Sequence, residues 1–89
     1  MITIYKYPLK LVGYTTLEIP EDFSPLCVQT QNEMPVLWCE VNTDHDMVKA
    51  NIVSVQTGDD IGKMNLEAKY LGTFQTYDGE LVGHVYLLP

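Results

Sequence analysis

Basic side chains are scarce in this sequence, five against twelve acidic ones, and the formal charge is −7. That balance opposes sequence-independent binding to duplex phosphate and adhesion to anionic lipid, so neither general nucleic-acid binding nor membrane association is expected. It leaves room for one small anion in a local pocket, because a distant acidic surface is screened over about 8 to 10 Å. Long apolar runs are missing as well. Met34 to Cys39 and Val85 to Leu88 are the longest, far short of the roughly 20 residues a spanning helix needs. The opening Met1-Ile2-Thr3-Ile4-Tyr5-Lys6-Tyr7 alternates like a strand and has neither the basic start nor the apolar centre of a secretion signal. The expectation is a protein that stays in the cytoplasm where it is made. There, two cysteines, Cys27 and Cys39, are expected as thiols rather than as a disulfide.

Catalytic and metal signatures are equally thin. Asp44-His45-Asp46 is the one cluster of potential ligands, and three consecutive loop residues rarely reach a single ion, so it reads as a solvated loop. No glycine-flanked serine elbow occurs, and neither cysteine has an activating partner nearby in sequence. No cofactor, metal or enzymatic activity is expected. Long helical periodicity and internal repeats are also lacking.

What is present is apolar residues, 46% of an 89-residue chain, sufficient for one core and one domain over residues 1–89. Their spacing is mostly that of strands. Ile2 to Tyr7 and Tyr14 to Ile19 alternate and suggest an opening hairpin. Leu26 to Gln31 and Pro35 to Val41 flank a tight turn at Asn32-Glu33. That register sets Val28 opposite Leu37, Leu26 opposite Cys39 and Cys27 opposite Trp38. Leu26, Val28, Leu37, Cys39 and Val41 then share the core face, with the two cysteines on opposite faces. Met47 to Ala50 is short and admits a helical turn, as does Met64 to Lys69, while Asn51 to Thr57 reads as a strand. A closing hairpin turns at Asp78-Gly79 and pairs Phe74 with Gly83, Thr73 with His84 and Leu71 with Tyr86; the phenyl ring lies over the missing side chain of Gly83. The fold class is therefore mainly β, with at most one short helix. About six or seven antiparallel strands built from hairpins form a small sheet sandwich or partly open barrel. So small a sheet leaves free edges, which a second copy is suited to cover.

Three surfaces are candidates for binding. Gln29, Gln31 and Trp38 project from the face opposite the core, where an indole beside two amides suits a flat ligand; the plain alternative is a second layer covering Trp38. Thr57-Gly58, with Lys63 and Lys69 in reach, offers backbone N–H groups to an anion, against the simpler reading of a connecting loop. His84, inside an apolar strand, needs solvent or a hydrogen-bond partner, which Thr73 across the hairpin supplies.

The ordered pattern as a whole resembles a family of small, functionally uncharacterised domain proteins of tailed phages and prophages. Its pieces are Met1 to Tyr7, Val28-Gln29-Thr30-Gln31-Asn32, Leu37-Trp38, Thr57-Gly58, Leu71-Gly72-Thr73-Phe74 and Leu81-Val82-Gly83-His84-Val85-Tyr86. Two departures stand out: Glu33 where glycine is usual, which loosens the turn assignment, and Asp59 where histidine is common, which weakens any histidine chemistry in that loop. The resemblance implies a non-essential phage product in the bacterial cytoplasm that acts on host defence or metabolism. Its partner would be a small nucleotide-like ligand or a host protein.

Overall fold

The computed structural model describes residues 1–64 and 67–89. Seven strands follow one another: β1 Ile2–Pro8, β2 Gly13–Pro20, β3 Ser24–Gln31, β4 Met34–Asn42, β5 Met47–Gln56, β6 Lys69–Thr76 and β7 Leu81–Leu87. They form two antiparallel sheets, β1-β4-β3 and β2-β5-β7-β6. The mainly β expectation holds, in its sandwich form, and no helix occurs among the described residues.

Alternation along each strand builds the core between the sheets. Leu37, Cys39 and Val41 of β4 meet Leu17 and Ile19 of β2, Ala50 and Ile52 of β5, Phe74 of β6 and Val85 of β7 in one buried cluster. These side chains are each at most 7% exposed, and burying one aliphatic side chain of this size contributes about 1.5 to 3 kcal/mol.

The opening hairpin is not formed. β1 pairs with β4 and β2 with β5, so strands adjacent in sequence lie in different sheets. Leu9 makes the crossing: its N–H donates to Pro35 C=O at 2.9 Å while its side chain is 2% exposed in the core. Met47 to Ala50, read above as a candidate helical turn, instead begins β5, because pairing with Leu17 to Pro20 gives each of these residues a place on the ladder. The other such candidate, Met64 to Lys69, includes residues 65 and 66, which lie outside the described residues; Lys69 already belongs to β6.

Both remaining hairpins turn where expected, each with one bulge that alternation did not reveal. Asn32 and Glu33 have φ of 52° and 64°, the two left-handed residues of a tight hairpin turn. Val28 faces Leu37 and Cys27 faces Trp38, but a bulge between Pro25 and Cys27 sets Pro25 opposite Cys39. Leu26 is thereby turned out, 52% exposed, and does not join the core. Proline has no N–H for a ladder and sits at edge bulges for that reason. In the closing hairpin Phe74 faces Gly83 and Thr73 faces His84, whereas a second bulge leaves Leu71 unpaired and sets Tyr70 opposite Tyr86. At this bulge the two sheets approach closely. A Cβ on Gly72 would lie 3.1 Å from Val28 Cβ.

These two bulged edges close one flank of the sandwich. Thr30 Oγ1 donates to Gln75 C=O at 2.8 Å, and Thr76 Oγ1 to Glu33 C=O at 3.0 Å. The Glu33 carboxylate also accepts from the Thr76 hydroxyl and the Tyr77 N–H, which hold its pKa below the usual glutamate range. Glycine cannot make that latch, which accounts for an acid at a left-handed position. On the opposite flank, between β1 and β2, the sandwich stays open, with a cleft of about 360 Å³ lined by Tyr5, Tyr7, Glu18, Pro20, Thr43 and Met47.

Candidate functional site

The outer face of the three-stranded sheet carries the first candidate. With Leu37, Cys39 and Val41 turned inward, Val36, Trp38 and Glu40 must face outward. Across β4, Trp38 lies between Lys6 of β1 and Cys27 of β3, and Val36 lies between Pro8 and Gln29. Gln31 follows two residues on, opposite Met34. The structure thus brings Gln29, Gln31 and Trp38 to one surface. The indole is half-buried and both amides are exposed.

Lys6 completes this surface and was not among the sequence candidates. Its Nζ donates to Gln31 Oε1 at 2.7 Å and stands 5.9 Å from the Trp38 ring centroid. A cation over a ring that solvent still reaches contributes about 0.5 to 1 kcal/mol. Alternation in β1 places Lys6 on the outer face; only the pairing of β1 with β4 places it beside Trp38. Together the four residues present an aromatic plane, a cation and two amides. Such a set can stack a flat ring, neutralise an anionic group and read a hydrogen-bonding edge.

His84 lies on the other sheet, with its outward neighbours on that sheet's outer face. Thr73 Oγ1 is 3.0 Å from its Nδ1 and Thr57 Oγ1 is 2.7 Å from its Nε2. Tyr70 extends the chain through its hydroxyl to Thr73 and stacks edge-on against Tyr86 at 5.6 Å. A neutral imidazole offers one donor and one acceptor, which two hydroxyls match whichever tautomer is present. Both ring nitrogens are thus engaged by threonine hydroxyls, and the Thr57 contact ties the loop after β5 to β7.

In that loop, the candidate for an anion cradle, several backbone amides already have partners within the chain. Gly58 has a φ of 93°, as a tight turn requires. However, the N–H of Gln56 donates to Asp59 Oδ2 at 2.8 Å, that of Gly62 to Asp60 Oδ1 at 2.9 Å, and that of Thr57 to Val82 C=O at 3.2 Å. The loop's own carboxylates thus occupy two of these amides, and the Thr57 hydroxyl is engaged by His84. Lys63 borders a hollow of about 160 Å³ with Tyr14, Val53, Val55, Asp60, Ile61 and Met64, apart from the Trp38 surface.

The remaining candidates have structural partners. His45 Nδ1 is 2.9 Å from Glu21 C=O, and Asp44 holds the Met1 ammonium at 3.0 Å, which ties down the start of β1. Cys27 and Cys39 are free and on opposite faces of the sheet. Burial pushes the Cys39 thiol up to about 11, where it is a poor nucleophile.

Among known proteins, no curated protein and no solved structure matches the chain. The family described as a domain of unknown function, DUF7352, matches residues 1–89. Its match spans both sheets, every strand and the Trp38 surface, and the chain belongs to the DUF7352 family.

Proposed function

We propose that this chain is a small non-enzymatic phage accessory protein, working in the bacterial cytoplasm, that binds a host-derived target through the outer face of the β1-β4-β3 sheet. In its concrete form the target is a nucleotide-like defence signal that the protein sequesters. The observation that carries this reading is the placement of Lys6 over Trp38 and against Gln31. A base stacking on the indole displaces the ammonium, which then meets the phosphate, and Gln29 and Gln31 take the edge of the ring. Stacking on one aromatic side chain is worth about 1 to 3 kcal/mol per base. Trp38→Ala should therefore weaken binding roughly 5- to 150-fold. Calorimetry with a panel of cyclic nucleotides and ADP-ribose derivatives tests the reading. Absence of heat with every compound at micromolar protein defeats it.

A second reading, from another class, rests on the charge of −7 and the exposed acids Glu18, Glu21, Asp22, Asp46 and Glu80. It makes the chain an inhibitor of a basic host protein, with acidic side chains steering association. Capture from host lysate discriminates the two, since this version requires a protein partner lost at high salt. An enzymatic role would need turnover that His84→Ala abolishes.

A further inference from the structure

We propose that the free edge of β1 pairs with the β1 of a second copy of this chain, antiparallel and centred on Ile4. The phase of the strand comes from its two ends. Thr43 N–H donates to Met1 C=O at 2.8 Å and Leu9 N–H to Pro35 C=O at 2.9 Å, flanking a ladder that runs from Ile2 opposite Asn42 to Pro8 opposite Val36. Residues of an antiparallel strand alternate between those that exchange hydrogen bonds with a given neighbour and those that do not. The odd-numbered residues from Met1 to Leu9 therefore direct their backbone groups at β4. Ile2, Ile4 and Lys6 direct theirs the other way, along an edge that borders no strand among the described residues.

A twofold axis at Ile4 sets Ile4 opposite its counterpart and Ile2 opposite Lys6 of the second copy. Every outward N–H and C=O of these three residues then has a partner. Centring on Thr3 pairs only Ile2 and Ile4 of these three residues with one another, and centring on Tyr5 brings Pro8, which has no N–H, opposite Ile2. Side chains agree with the same register. Ile2 and Ile4 are 68% and 58% exposed, and across the axis they cover one another, with the Lys6 stem lying along Ile2. The Lys6 ammonium does not guard the edge, because Gln31 and Trp38 hold it over the sheet.

The other edges are disposed differently. β3 and β6 each carry a bulge, the usual guard of an edge strand, and they contact each other. β2 is regular but presents Glu18 and a Thr16 bound to Asn51 at 2.9 Å. β1 is the edge with neither guard nor polar face over Ile2 to Tyr5. A single strand pair is a small interface, so the dimer dissociates on dilution.

Sedimentation equilibrium across rising micromolar concentrations should show the mass climbing from 10.1 kDa towards twice that value. Ile4→Lys, which opposes like charges at the axis, should hold the protein monomeric with an unchanged far-ultraviolet spectrum. Directly opposed residues of a hydrogen-bonded pair have Cα atoms about 5.5 Å apart, within disulfide range. In a Cys27→Ser background, Ile4→Cys should therefore cross-link on mild oxidation, and Thr16→Cys on the β2 edge should not. A wild type that stays monomeric, a dimer that survives Ile4→Lys, or cross-linking through Thr16→Cys alone overturns the proposal.

Discussion

Gly83 and Phe74 offer a test of how the closing hairpin holds its register. A Cβ built on Gly83 falls 2.2 Å from Phe74 Cζ, 2.4 Å from Cε1 and 3.0 Å from Cε2. Three ring atoms block the site, and the ring is itself 3% exposed, so it has little room to retreat. Overpacking of this kind costs about 1 to 3 kcal/mol. Gly83 is not at positive φ, so an alanine there also restricts the unfolded chain and returns about 0.4 to 1 kcal/mol. Gly83→Ala should therefore lose up to about 2.6 kcal/mol net. The sign changes once the ring is gone. In a Phe74→Leu background the clash is relieved while the entropic gain remains, and the same alanine should be neutral or stabilising by up to about 1 kcal/mol. Urea denaturation of the four proteins closes the cycle and should give a coupling of at least about 1 kcal/mol. If Gly83→Ala costs the same with and without the ring, aromatic cover of the glycine does not hold this hairpin together.

Two further outcomes follow from groups buried or latched between the sheets. Ser54 is 2% exposed and its hydroxyl has no hydrogen-bond partner among the described residues, so Ser54→Ala should raise stability by about 1 kcal/mol and the melting temperature by roughly 4 to 8 °C; a drop in calorimetric melting temperature would show the hydroxyl to be satisfied. The Glu33 carboxyl is more acidic folded than its ordinary value of 4.5, so its contribution is complete above that value and fades as pH falls through the lower folded one. The stability gap between wild type and Glu33→Gln, followed by urea titration, should be widest at neutral pH and close in acid. A gap independent of pH would mean that the charge plays no part in the latch.

Local chemistry by itself determined a good deal of this molecule. Alternation of period two specifies strands and sorts their faces, so Trp38, Gln29 and Gln31 were legible as one surface from the turn at Asn32 and Glu33 alone. The same holds for Thr73 opposite His84, which needs only the turn at Asp78 and Gly79. Tertiary structure decided what alternation cannot express. A strand's pattern says which side is apolar but not which strand lies beside it, and β1 and β2 parted into different sheets because each closes over a shared core from its own side. That choice carried Lys6 to Trp38. The bulges at Leu26 and Leu71 belong to the flank where β3 and β6 approach, a contact between segments far apart in the chain. Likewise, Asp59 and Asp60 fold back on their own loop's amides, and Thr57 reaches a histidine 27 residues away. Each of these outcomes was settled by which groups the closed sandwich left within hydrogen-bonding or packing distance, a non-local condition that neighbouring residues do not encode.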